Sequence, residues 1–195
     1  MEDVRFPALA ATAIFLLGVL PAQGQAPEPF DFVEVRVSGT QNVHRSFVHE
    51  FWEHGSGGEL AAATPFYLGQ AEAGIALHRY RAAAPPVPDF DATLLFAGWG
   101  VGVEAGSRLR LDGGLRVGNY RMRFEEAAFT GSRNESELAL GAVARLSVRP
   151  AGPLRVHVSG SYTKVHTFNR LKLWYLSAGL AYRFSSPGWL KSFLR

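Results

Sequence analysis

The chain has no cysteine in its 195 residues. That excludes a disulfide framework, a thiolate metal site and a cysteine nucleophile. It also has no second long apolar run. Ala8 to Leu20 is the one continuous hydrophobic stretch, and it is too short to cross a bilayer as a helix. No block of lysines and arginines occurs either. The 20 basic and 17 acidic residues give a net charge of only +3, and the basic ones alternate with apolar neighbours. A nucleic-acid partner would want a clustered basic patch, so none is expected. Sustained helical periodicity is absent as well, which leaves strands.

The N-terminus reads as a secretory signal, residues 1–24. The apolar run is followed by Ala22-Gln23-Gly24, the small residues a signal peptidase needs. Its basic flank is poor, because Glu2 and Asp3 outweigh Arg5, and an uncleaved anchor is the other reading. An exported chain without disulfides needs another source of stability. A closed hydrogen-bonded sheet in a membrane supplies one.

Clean period-two alternation follows. Leu138, Leu140, Ala142, Ala144, Leu146 and Val148 oppose Glu137, Gly141, Arg145, Ser147 and Arg149. Leu154, Val156, Val158, Gly160 and Tyr162 oppose Arg155, His157, Ser159, Ser161 and Thr163. Similar patterns run through 31–38, 95–105 and 108–117. Such alternation places one set on each face of a strand. Eight strands are predicted, at 31–38, 45–53, 66–80, 93–105, 107–123, 136–149, 154–166 and 171–184. The links are too short for crossover helices, so the sheet is all-β and antiparallel. Tight links (105–107, 149–153) alternate with longer ones (81–91, 124–135), the pattern of a transmembrane β-barrel with periplasmic termini. Two links break it: 54–64 is long for a periplasmic turn, and 166–170 is short for an outer loop.

The faces expected to point inward carry charge: Glu34, Arg36, Glu72, Glu104, Arg108, Arg110, Asp112, Arg116, Glu137, Arg145, Arg155, His157 and Arg183. A soluble barrel would put apolar residues there. The inverted pattern predicts lipid outside and a salt-bridged plug inside, since buried charges must pair. Eight strands leave a lumen just wide enough for side chains to fill.

The last strand ends Ser177-Ala178-Gly179-Leu180-Ala181-Tyr182-Arg183-Phe184. Large rings at its end suit a membrane–water boundary. The order of Ser177, Gly179, Tyr182 and Phe184 (polar–x–Gly–x–x–aromatic–x–aromatic) resembles the terminal assembly signal of bacterial outer-membrane barrels. Over residues 30 to 184 the chain resembles the small OmpA/OmpX-like outer-membrane barrel family. The resemblance implies an eight-stranded closed barrel at 25–184 in the outer membrane. It implies the lipid bilayer and the barrel-assembly machinery as partners, and loops where an extracellular ligand would dock. Residues 185–195 remain as a short tail, either an interfacial helix or a frayed end.

Chemistry-bearing candidates are few. Gly98-x-Gly100-x-Gly102 lacks the helix a nucleotide loop requires. His49, Glu50 and His54 lack metal-site spacing, so no metal or cofactor is expected. Asn134-Glu135-Ser136 is formally a glycosylation sequon and marks a polar loop. His157 and Ser159 share a strand face and are the weak catalytic candidates. They loosely resemble the His-x-Ser pair of lipid A deacylase barrels, but those face lipid, whereas this pair points inward, and the acid of that pattern is missing here. The expected function is non-enzymatic, structural or surface-interactive. A lipid-modifying barrel enzyme is the alternative, and a periplasmic soluble barrel a third reading.

Overall fold

The computed structural model describes residues 28–43, 47–126, 132–167 and 170–188. The signal segment 1–24, the start of the expected strand at 45–53 and most of the tail at 185–195 lie outside them. Eight strands make one closed antiparallel barrel: β1 (Phe32–Asn42), β2 (Trp52–Phe66), β3 (Gly69–Ala82), β4 (Phe90–Ala105), β5 (Leu109–Phe124), β6 (Asn134–Ala151), β7 (Leu154–Val165) and β8 (Leu171–Ser185). Each strand pairs with its sequence neighbours, and β1 closes the ring on β8. Closure matters because it leaves no edge strand with unpaired backbone groups. No described helix is long and apolar enough to span a membrane.

The links separate cleanly. Between β2 and β3, β4 and β5, and β6 and β7 only two or three residues turn the chain. These turns, with the start of β1 and the end of β8, define the turn end of the barrel. Longer connections at 43–51, 83–89, 125–133 and 166–170 define the loop end.

One expected element is corrected. Among the described residues of the expected strand 45–53, Phe47–Glu50 is a single 3-10 turn, and only Trp52 and Glu53 are strand, as the start of Trp52–Phe66. The stretch 54–64, expected as a turn, is therefore most of β2. This also removes the over-long periplasmic link.

Outside, the strands show an apolar band. Leu115 is 71% exposed, and Val37, Leu95, Leu138, Val158, Leu176 and Leu180 are all exposed. In water this much contiguous apolar surface would be costly, at roughly 25 cal/mol per Å². Rings mark both limits of the band. Tyr182 and Phe184 stand 4.6 Å apart near the turn end, and Tyr162 and Trp174 4.9 Å apart toward the loop end.

Inside, side chains fill the tube in two layers. Charged residues occupy the part nearer the turn end. Nearer the loop end, Tyr80, Phe90, Tyr120, Met122, Val165, Leu173 and Tyr175 form an apolar core. Val48, from the 3-10 turn, is buried against that core. The expectation of a polar lumen thus describes one part of it only.

Candidate functional site

The charged layer is organised around two glutamates. Glu72 projects from β3 and accepts from three arginines on three other strands. Arg36 Nη1 lies 2.5 Å from its Oε2, Arg116 Nε 2.7 Å from its Oε1 and Arg145 Nη2 3.3 Å from its Oε2. Arg116 also grips Glu59 with both terminal nitrogens at 2.9 Å. Its guanidinium lies 4.2 Å from the Phe96 ring centroid, a cation–π contact that covers its flat face. Glu34 on β1 receives Arg36 at 3.4 Å, Arg183 at 3.3 Å and Arg155 at 3.7 Å. Nearer the turn end, Arg110 pairs with Asp112 at 2.7 Å and Glu104 at 3.3 Å, while Arg155 reaches Glu104 at 3.1 Å.

This arrangement follows from the period of two. Alternate residues of β1, β3, β5, β6 and β7 face one narrow tube, so charges distant in sequence meet across it. A buried ion is costly to desolvate and is tolerated when several partners share the cost. Arginine suits the task because its planar fork serves two carboxylates at once.

Most charged residues expected in the lumen are there. Arg108 is the correction. It lies in the β4–β5 turn and is exposed, where its carbonyl accepts from the Arg149 amide. Its side chain stands beyond the last inward position, because β5 begins at Leu109. Glu137 faces inward but sits toward the loop end, opposite Tyr120 in the β5–β6 register. Glu59 also belongs to the network and is absent from the expected set, because its strand reads as a turn in the sequence.

The second layer carries a polar chain of its own. Tyr80 and Tyr175 share a hydrogen bond of 2.7 Å between hydroxyls. His78 stacks on Tyr175 with ring centroids 4.3 Å apart and lies 3.2 Å from His54 Nε2 through its Nδ1. The Asn42 backbone N–H donates to His54 Nδ1 at 3.5 Å. With Nδ1 accepting, His54 carries its proton on Nε2 and donates to His78. Gly57 makes room for this cluster, since a Cβ there would stand 2.5 Å from His78 Nδ1.

This is also where the wall parts. The β1–β2 ladder ends at Thr40↔Gly57, although β1 continues to Asn42 and β2 begins at Trp52. A register shift between His54 and Ser56 in the β2–β3 pair bends β2 at the same point. Among the described residues no three His, Asp or Glu side chains gather as metal ligands.

His157 and Ser159 both face the lumen on β7, and His157 is 3% exposed. No hydrogen bond joins them among the described residues, and His157 Nδ1 has no partner. Opposite Ser159 in the register stands Arg145, and opposite His157 stands Ser147. A general base needs an orienting acid and a route for substrate. This histidine has neither in contact.

In the terminal strand, Ser177 and Gly179 face inward and Tyr182 and Phe184 outward. Gly179 lies at the closing seam opposite Ser38. A Cβ there would meet the Ser38 Cβ at 2.6 Å.

No family model matches the chain, and no curated protein matches it. Solved structures do. The attachment invasion locus protein Ail of Yersinia pestis, crystallised with the heparin analogue sucrose octasulfate, aligns with a TM-score of 0.53 at 18% identity. The alignment covers 78% of this chain and 98% of Ail. Neisserial surface protein A aligns at 0.53 with 14% identity, over 80% and 96%. The N-terminal β-barrel domain of Pseudomonas aeruginosa OprF aligns at 0.52 with 12% identity, over 80% and 100%. The chain has the fold of the small eight-stranded outer-membrane β-barrels.

Proposed function

We propose that this protein resides in a bacterial outer membrane as a closed, non-enzymatic barrel that works through its loop end. The observation that carries this reading is the inversion of the two faces. A continuous apolar band surrounds a tube whose interior holds the Glu72 and Glu34 ion-pair networks. Water outside and oil inside would give the opposite pattern. Residues 1–24 direct export in this reading. Ser177, Gly179, Tyr182 and Phe184 present the strand that the barrel-assembly machinery handles. The turn end faces the periplasm, and the loops face the cell exterior, where a ligand would dock.

The enzyme alternative has less support. His157 is walled in by arginines and hydroxyl groups, and acyl chains outside the barrel are separated from it by the β7 backbone.

Orientation is tested on whole cells. Single cysteines at Ala83 and Ser132 should react with an impermeant maleimide, and no native thiol competes. Labelling only after the outer membrane is broken would sink the proposed orientation. Heat-modified migration in an unboiled gel reports whether the extracted protein is a closed barrel. For the absence of chemistry, Ser159→Ala should leave the lipid profile of the host membrane unchanged. Loss of an acyl-chain modification in a folded Ser159→Ala protein would promote the enzyme reading.

A further inference from the structure

The outward faces of the strands are not symmetric from end to end. Near the turn end they end in apolar or aromatic residues: Val33, Val103, Leu109, Val148, Leu154 and Phe184. Near the loop end they carry Arg79, Arg81, Arg121, Arg123, Lys164 and Lys172, against Glu53 and Asp91. The basic excess sits immediately beyond the apolar band, on one side of it.

Two features of this collar ask for an anion. Lys164 and Lys172 are direct cross-strand partners in the β7–β8 register, and neither has an ion pair among the described residues. Like charges placed opposite each other on one sheet face repel. The second feature is a groove of about 830 Å³ on the outer surface of β1–β5. Its lower wall is Leu60, Ile75 and Leu77, and its upper wall is Arg79, Arg121 and Arg123. It is concave because Ser56, Gly58 and Thr93 on the outward rows between are small. Arg123 makes no ion pair among the described residues. Among the described residues Arg121 meets only the neutral Asn134, at 3.1 Å, and Arg79 holds Glu125 at 3.4 Å with both side chains more than half exposed. Asp91 lies between Arg79 and Arg123 in the register and leaves the groove cationic.

We infer that this groove seats a phosphate-bearing anionic lipid of the outer leaflet, its head on Arg121, Arg123 and Arg79 and an acyl chain along Leu60, Ile75 and Leu77. The occupant is amphiphilic because the wall is. A soluble anion has no use for the three aliphatic side chains, and an uncharged lipid has none for the arginines. Arginine's planar fork matches phosphate oxygens pairwise. The basic collar then fixes the height of the barrel in the membrane, as basic residues fix other proteins against anionic lipid surfaces. This inference rests on the proposed outer-membrane residence. That reading is judged separately by gel migration and maleimide labelling, so the two fail independently.

The test uses the membrane-extracted protein in phosphatidylcholine vesicles carrying a small fraction of lipid A, either bisphosphorylated or dephosphorylated with the same acyl chains. Native mass spectrometry reads the lipid retained. Bisphosphorylated lipid A should remain bound to the wild type, and the dephosphorylated form should not. Arg121→Gln with Arg123→Gln should lower retention about tenfold or more, since each lost pair is a charge-assisted bond. Thr93→Trp, which fills the groove and keeps every arginine, should lower it as well and covers the case of a double variant that does not fold. Lys164→Gln with Lys172→Gln should leave the groove-bound lipid in place. Equal retention of the two lipid forms by the wild type, or unchanged retention in both groove variants, overturns the inference. Displacement by excess inorganic phosphate alone overturns it too, because the site would then serve a soluble anion.

Discussion

Glu72 and Tyr120 both lie inside the barrel, yet their surroundings depend on them in different ways. Around Glu72, three guanidinium groups converge on one carboxylate, and each has its position because of a charge on another strand. Around Tyr120, the neighbours are rings and aliphatic chains packed by shape, with the hydrogen-bonded hydroxyls of Tyr80 and Tyr175 among them. Loss of a charge leaves other charges buried and unpaired. Loss of a ring leaves a gap whose cost depends on how far the walls relax. The charged layer is therefore brittle and the aromatic layer more forgiving, although the second is the drier of the two.

Stability measurements on the refolded barrel can break or sharpen this contrast. Glu72→Ala strands Arg36, Arg116 and Arg145 together and should cost about 3–5 kcal/mol in urea unfolding. A loss below about 1 kcal/mol would mean that water already solvates the layer. Leu173→Ala, in the aromatic layer and 1% exposed, should cost about 3 kcal/mol by transfer and cavity terms. Combined with Glu72→Ala it should be additive within about 0.5 kcal/mol if the layers are independent. Tyr80→Phe removes one end of the 2.7 Å hydroxyl bond to Tyr175 and should cost about 1–2 kcal/mol with packing retained. Arg79→Ala, at the exposed pair with Glu125, should change stability in detergent by less than about 1 kcal/mol. A larger effect there would erase the distinction between lumen and outer-surface ion pairs.

Much of this organisation is legible in the chain, and its gaps have physical reasons. Strands β4 to β8 announce themselves because, toward the turn end, the outer set is apolar and the inner set is charged, polar or small, as in Leu138 to Val148. β2 does not. Gly55-Ser56-Gly57-Gly58 and Ala61-Ala62-Ala63 put small residues on both faces, so no alternation exists to detect. Phe47 to Phe51 looks like a strand by composition, but Val48 turns into the barrel mouth in a 3-10 turn. Tyr67 and Leu68, 73% and 87% exposed, form a turn. A hydrophobic turn reads as a strand start when the solvent is assumed to be water. Most of the charged layer follows from parity; parity misses Glu59, whose strand reads as a turn, and misplaces Arg108, one residue before β5. The aromatic layer is harder to see. Leu173 and Tyr175 share the parity of Ser177 and Gly179, so the inner face changes from polar to apolar midway along one strand. Alternation reports the contrast between faces and says little about a change along one face. Of the candidate sites, the His157–Ser159 pair was visible as a pattern. The missing acid on its own strand is visible too; that β6 places Arg145 and Ser147 opposite the pair, and no acid, needs the register. The groove with Arg121 and Arg123 is not legible in the chain, because its walls and the small residues between them come from separate strands.

The ladder between β1 and β8 runs from Phe32↔Ser185 to Asn42↔Tyr175 and joins the first strand of the barrel to the last. Its partners are among the most distant in sequence that the fold contains. Such contacts dominate the search time of folding, because the chain between them must be organised before they can form. A chain emerging N-terminus first cannot shut the ring until β8 has been delivered. Until then β1 and the newest strand both expose edges able to pair with the wrong chain. Closure is consequently a late and concerted event. A truncation that removes only β8 would not leave a smaller barrel; it would leave an open sheet exposed to aggregation throughout its journey.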